Sequence, residues 1–233
     1  METQSHNTPN IFFVGDPHGK YEHICTAVEQ HRPDAVVFLG DMDLPAPLEQ
    51  VLAPIMALTD IWWIHGNHDC DAEAYYRHLF QSGLGDRSLH ARVVTVAGVR
   101  IAGLGGVFRG QIWNPNAPQV EPLTREAFLQ KQPKRSRKGN AQTGGLVLRH
   151  TATIFPEDHQ TLMQQRADVL VTHEAPSCHR NGFKVLDDLA EALGVHTHFH
   201  GHHHLRYTGT VGKTRVEGVH EAGIVDLSGS TIC

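Results

Sequence analysis

Five short apolar runs, each closed by a small cluster of Gly, Asp, Asn or His, set the tightest limit on how this chain can fold. They are IFFVGDPHG at 11–19, AVVFLGDMD at 35–43, IWWIHGNHD at 61–69, VLVTHEAP at 169–176 and HTHFHGHHH at 196–204. Runs of β-branched and aromatic residues without polar alternation suit strands buried on both faces. Between them, residues 20–31, 71–82, 156–166 and 184–193 carry apolar side chains at helical spacing, and Pro156 suits a first-turn position. Residues 45–58 also read as helical, although Pro47 and Pro54 disturb the interior. Strands alternating with helices give βαβ units, in which the polar cluster after each strand lies at the carboxyl edge of a sheet. All five clusters are therefore expected on one edge, as one composite site. Residues 92–103 alternate about Ala97 and Gly98, and 205–227 hold further short alternating strands, which points to a second sheet.

The clusters carry ligand chemistry. Asp16 and His18 lie two apart, Asp41 and Asn67 end the second and third runs, His173 ends the fourth, and His202 and His204 repeat the two-residue spacing. Three carboxylate or amide oxygens and four imidazoles are too many donors for one ion but suit two ions sharing a carboxylate. Mixed nitrogen and oxygen ligation suits Mn²⁺, Fe or Zn²⁺ better than Ca²⁺ or Mg²⁺, which take oxygen shells. Turn and cap chemistry accounts for any single cluster but not for the ordered set.

In that order, GDPHG, GD, GNHD, a lone His after a strand and GHHH resemble the five-motif signature of the calcineurin-like metallophosphoesterases. The motifs run from 16 to 204. The resemblance implies an α/β fold, a four-layer α-β-β-α sandwich of two mixed β-sheets with a di-metal site at the carboxyl edges of the strands. It assigns Asp16, His18, Asp41 and His204 to one divalent ion and Asp41, Asn67, His173 and His202 to the other, with Asp41 bridging. The ions would share a hydroxide aimed at phosphorus, and His68 would serve the departing alkoxide as general acid. A protein-phosphatase G-D-x-x-D-R-G motif is not met, because Leu44 stands where its second Asp would be. The expectation is a phosphoesterase favouring phosphodiesters of nucleotide type. The alternatives are a phosphomonoesterase, a non-catalytic scaffold on the same fold, and histidine-rich metal storage.

Other residues carry weaker signals. His203 falls at the variable position and should point away from the ions, while His196, His198 and His200 share a strand face and suit packing or support of the ligands. Asp69 reads as a helix cap near Asp71 rather than a partner of a neighbouring histidine. His68 has no assigned orienting partner beyond Asp43. Trp62 and Trp63 should be core. Arg109 and Trp113 are candidate substrate contacts, one for phosphate oxygens and one for a base or sugar, although packing is the simpler role for Trp113.

The chain reads as one domain over 1–233 with a long insert at about 107–152, where five of the eight residues 131–138 are basic; a solvated loop is the expected reading of that run. The formal net charge of −5 argues against a dedicated nucleic-acid binder. Four scattered cysteines show no CxxC pair, and Cys178 with His179 does not make a zinc site. The first ten residues lack a basic and then apolar leader, and no stretch is apolar enough to span a membrane, so a cytoplasmic location is expected.

Overall fold

The computed structural model describes residues 9–117 and 121–232. Four strands form one sheet in the order β10 (Ile224–Asp226), β1 (Ile11–Val14), β2 (Ala35–Phe38), β3 (Asp60–Trp63), with β1, β2 and β3 parallel and β10 antiparallel. Six form the other, in the order β4 (Arg92–Val96), β5 (Val99–Leu104), β6 (Val169–Thr172), β7 (Thr197–His200), β9 (Thr214–Gly218), β8 (Tyr207–Val211). Its centre is parallel and its two margins are antiparallel hairpins. The expected hairpin about Ala97 and Gly98 is β4–β5, closed at the pair Val96 and Val99.

Strand alternation builds the layers. Phe12, Val14, Val36 and Phe38 face outward and pack on Ile24, Ala27 and Val28 of α1 (Glu22–His31) and on Leu79 of α3 (Glu73–Phe80). Ile11, Phe13, Ala35 and Val37 face inward and meet Ile101, Val169, Val171 and Phe199 of the second sheet, with the Phe13 and Phe199 rings stacked at 3.8 Å. The outer face of that sheet, through Ala102, Leu104 and Leu170, is covered by Leu162 of α6 (Pro156–Met163) and Leu186, Leu189 and Leu193 of α7 (Lys184–Leu193). The result is the four-layer sandwich.

Three expectations are corrected. The five motif strands do not share a sheet: β1, β2 and β3 belong to one and β6 and β7 to the other, so the clusters meet where two carboxyl edges abut. The helix expected over 45–58 shrinks to α2 (Leu48–Val51), because Pro47 sits at its N-cap and Pro54 cannot continue it, leaving turns from 52 to 58. The 107–152 insert is largely built: it holds α4 (Arg125–Lys131), α5 (Lys134–Gly139) and two short 3₁₀ turns. Ile112, Phe128 and Leu146 of the insert form a small core with Phe155. Of the two indoles expected in the core, Trp63 is fully buried, whereas Trp62 is half-buried under the Arg87 guanidinium, 4.8 Å from its ring.

Candidate metal centre

Each candidate ligand sits one to four residues past the end of its strand, and most sit there in an unusual backbone state. Asp16, His18, Asp41, His202 and His204 have φ of 33°, 44°, 51°, 68° and 53°. Left-handed non-glycine residues cost about 1 kcal/mol or more each and persist only where the surroundings hold them. Here the loops hold one another. The His202 N–H donates to both Asp16 carboxylate oxygens at 2.9 and 3.0 Å, the His18 N–H donates to the Asp41 carbonyl at 3.0 Å, and the Ala222 N–H donates to the Asp16 carbonyl at 3.1 Å. Two glycines make room for ligands: a Cβ on Gly66 would lie 2.2 Å from Asp41 Oδ1, and one on Gly201 2.5 Å from Asp16 Oδ2.

The side chains converge as two adjacent sets. In the first, Asp16, His18 and His204 bring donor atoms within 4.8 Å of one another, and the Nε2 atoms of His18 and His204 face each other at 3.2 Å. In the second, Asp41, His173 and His202 do the same; His173 Nε2 lies 3.2 Å from both Asp41 Oδ2 and Asn67 Oδ1. The sets touch, since His173 Nδ1 is 3.8 Å from Asp16 Oδ1. All seven sequence-predicted ligands therefore come together.

The donor set fits divalent cations. Asp16 and Asp41 are fully buried. Burial and the neighbouring Asp41 charge raise the Asp16 pKa. Burial would raise Asp41 too, but the charge and hydrogen bond of His173 reverse that and lower it. His173, which burial alone would leave neutral, is raised by the Asp41 and Asp16 carboxylates. Two carboxylates in low dielectric thus recruit positive charge from a buried imidazole, and a cation would supply that charge without desolvating a proton carrier. The two facing imidazole nitrogens of His18 and His204 could both turn lone pairs to a cation placed between them.

Further side chains orient these ligands. His173 Nδ1 donates to the Leu39 carbonyl at 2.8 Å, which turns Nε2 toward Asp41 and Asn67. Asp43 lies 2.9 Å from His18 Nδ1 and does the same for that ring. Asp43 is thus a partner of His18 and not of His68, whose Nδ1 instead meets Asp71 Oδ2 at 2.5 Å. Burial lowers the His68 pKa, but the Asp71 hydrogen bond and the surrounding carboxylates raise it overall. Asp69 is no helix cap: buried, it accepts N–H bonds from Asp41, Met42 and Gly66 at 3.0, 2.8 and 2.8 Å and ties the second loop to the third. Asp71 at i+3 from His68 was visible as a spacing, but the residues read as a helix start. Glu174, directly after His173, gave no signal; it is buried, accepts the Phe108 N–H at 3.1 Å and sits 3.8 Å from His202 Nε2.

The remaining histidines divide. His198 meets Thr172 Oγ1 at 2.7 Å and His200 meets Tyr207 Oη at 2.7 Å, both buried, so they pack and bond as expected, whereas His196 precedes β7 and is exposed. His203 stacks on His179 at 4.0 Å and yet stays close to Glu174 and His202, with which it forms a further group of donors, so it does not point clear of the centre. Arg109 is half-buried, and its Nε is buried without a hydrogen-bond partner. Trp113 packs edge-on against Phe108 and His159, at 5.0 and 5.4 Å, on the α6 and α7 side. That favours its packing role.

Two donor sets on abutting strand edges, in the order D-x-H, G-D, G-N-H, H and G-H-x-H, are joined by a match of the calcineurin-like phosphoesterase family profile to residues 9–206. The chain belongs to the calcineurin-like phosphoesterase family. An uncharacterized protein of Haemophilus influenzae is 44% identical over 200 residues, covering 85% of this chain and 84% of its own. Among solved structures, a Thermus thermophilus protein superposes with a TM-score of 0.59 at 15% identity, covering 95% of this chain and 96% of that one. A phosphopantetheinyl hydrolase from Mycobacterium tuberculosis gives 0.52 at 14%, covering 92% and 90%. At such identities these two establish the fold. Family membership points to a phosphoester hydrolase, and members of the family typically bind divalent metals. No helix among the described residues is long and apolar enough to cross a membrane.

Proposed function

We propose that this calcineurin-like phosphoesterase is a two-metal hydrolase that prefers phosphodiesters of nucleotide type. The observation that carries the reading is the contact of the two donor sets through buried Asp16, Asp41 and His173. Asp16, His18 and His204 would hold one ion and Asn67, His173 and His202 the other, with Asp41 shared; Mn²⁺ suits this mixture, with Fe and Zn²⁺ as alternatives. When bound, such a pair supplies Lewis acidity toward phosphate oxygens and lowers the pKa of water at the site.

The protein's own groups do the rest. His68, exposed at the rim, has Nδ1 on Asp71, so its Nε2–H is free to protonate the departing alkoxide. Its backbone N–H donates to Asp41 Oδ1 at 2.8 Å, which fixes the acid relative to the ligand loops. Arg109 offers its guanidinium to phosphate oxygens. A diester carries one negative charge and a monoester two; with Glu174 buried beside His202 and a single guanidinium, that of Arg109, assigned to the phosphate, the singly charged ester is the better match. The reading takes the chain as one catalytic domain with the insert built onto it, and as acting in the cytoplasm.

The test is hydrolysis by the Mn²⁺-loaded protein of bis-p-nitrophenyl phosphate against p-nitrophenyl phosphate. Faster turnover of the diester, lost in Asp41→Ala, supports the proposal; turnover of the monoester alone refutes the diester preference. An Asp41→Ala protein as active as wild type refutes the two-metal mechanism, and a wild type that binds metal but cleaves neither ester favours a scaffold.

A further inference from the structure

Charge in this chain is segregated. From 127 to 156 there is no Asp or Glu, while Lys131, Lys134, Arg135, Arg137, Lys138 and Arg149 give that stretch a formal charge of +6; because the whole chain stands at −5, everything else sums to −11. Within the described residues none of these six cations has a carboxylate within 4.0 Å, as Arg77, Arg87, Arg100, Arg125 and Arg206 have; scattered cations such as Arg32, Arg92 and Lys213 lack one too, but here six gather in a stretch without an acidic residue. Unpaired like charges held on a folded element repel one another and draw a polyanion.

The cations have a shape as well as a sign. Lys134, Arg137 and Lys138 line a shallow, open depression of about 560 Å³ together with Leu129, Ala141, Gly144 and Gly145, with no acidic group on its wall. Arg137 Nε is buried there without a hydrogen-bond partner. The segment is also moored to the metal centre's rim: Thr151 Oγ1 donates to Cys70 Sγ at 2.8 Å, in the 3₁₀ turn that begins with His68, and Tyr76 Oη donates to the Gln142 carbonyl at 3.3 Å. The segment that carries the patch thus touches the turn of His68 through Thr151 and α3 through Gln142.

We propose that the α4–α5 arm binds the phosphate backbone of a single-stranded oligonucleotide and so extends the substrate of the metal centre beyond one phosphodiester. The substrate half of this inference rests on the phosphodiesterase reading above; the binding surface does not. A lipid surface is the poorer match, since α5, KRSRKG, has no apolar face to insert, and the large hydrophobics that stand exposed, Met56 and Leu205, lie elsewhere.

The experiment is fluorescence anisotropy of a labelled phosphorothioate-linked 20-mer, which resists cleavage, with the full chain between about 50 and 200 mM salt. Wild type is expected to bind with a log–log salt slope of about −2 or steeper, the value for three phosphates on a single strand. K134E/R137E/K138E should lose at least tenfold in affinity and flatten that slope, and the milder K134Q/K138Q, which alters exposed side chains alone, should lose part of it with unchanged Tm. Binding that is absent, insensitive to salt or equal in both variants overturns the proposal, as does binding to anionic phosphatidylserine vesicles in preference to the oligonucleotide. Wild type that binds the 20-mer but cleaves no bis-p-nitrophenyl phosphate retains the binding surface and removes the catalytic reading instead.

Discussion

His68 and Asp71 make the smallest unit in which geometry bears on chemistry. With Nδ1 committed to Asp71, the ring has one nitrogen left to face a leaving group. His68→Ala should lower kcat by about 10²- to 10⁴-fold while metal content measured by mass spectrometry stays at the wild-type level. Asp71→Asn should cost less, since the ring remains and only its orientation and charge are weakened. A His68→Ala protein that also loses its metal would show the residue to be structural. Gly66 tests the opposite feature, absence of a side chain: Gly66→Ala would put a methyl 2.2 Å from Asp41 Oδ1 and 2.5 Å from His173 Cε1, so bound metal should fall well below the wild-type content. The neighbouring loops are tied by Asp69. Removing its carboxylate in Asp69→Ala strands three buried N–H groups at about 1 kcal/mol or more each, so urea denaturation should show a loss of about 3 kcal/mol or greater.

At the scale of elements, α6 shows how a helix start is pinned across the fold. Pro156 occupies its first turn, as the sequence suggests, but Asp158 also accepts the Phe155 N–H at 2.9 Å and meets Arg125 of α4 at 3.2 Å and His90 at 3.5 Å. Burial would raise the Asp158 pKa, yet these partners lower it from 3.8 to about 2. A carboxylate depressed in the folded state adds stability that is whole above pH 4 and is lost as pH falls through 2, here about 2 kcal/mol. The stability gap between wild type and Asp158→Asn should therefore narrow as pH drops from 5 to 2, read from urea midpoints; a gap constant over that range would contradict the pairing. The same Arg125 contact fastens the insert to the outer helical layer beside the small core that Ile112, Phe128 and Leu146 make with Phe155. In sequence its polar and basic composition outweighs Ile112, Phe128 and Leu146, three residues too widely spaced to signal a core until Phe155 closes it.

For the molecule as a whole, the candidate metal centre doubles as a joint between the two sheets, through His173 on Leu39 and His202 on Asp16. Two cations between Asp16 and Asp41 would relieve the repulsion of buried carboxylates, so chelation should lower Tm. Ligand at about a thousand times Kd contributes about 4 kcal/mol, and readdition of Mn²⁺ should restore Tm. An unchanged Tm after verified removal of metal would detach the centre from the fold's stability.

The candidate ligands Asp16, His18, Asp41, Asn67, His173, His202 and His204 were legible because each sits within four residues of its own strand, and the family resemblance of those motifs gave them, and the proposed acid His68, their expected roles. The partition of those strands between two sheets was not legible. Strands buried on both faces show unbroken apolar runs, and such runs carry no mark of which neighbour they pair with. Asp71 in place of Asp43 beside His68, Asp69 as a clamp on three N–H groups and Glu174 beside His202 likewise became visible only once loops from different strands were brought together. Local chemistry is written residue by residue along the chain. Which loops face one another is set by burial of whole strand faces, a property of the assembled layers.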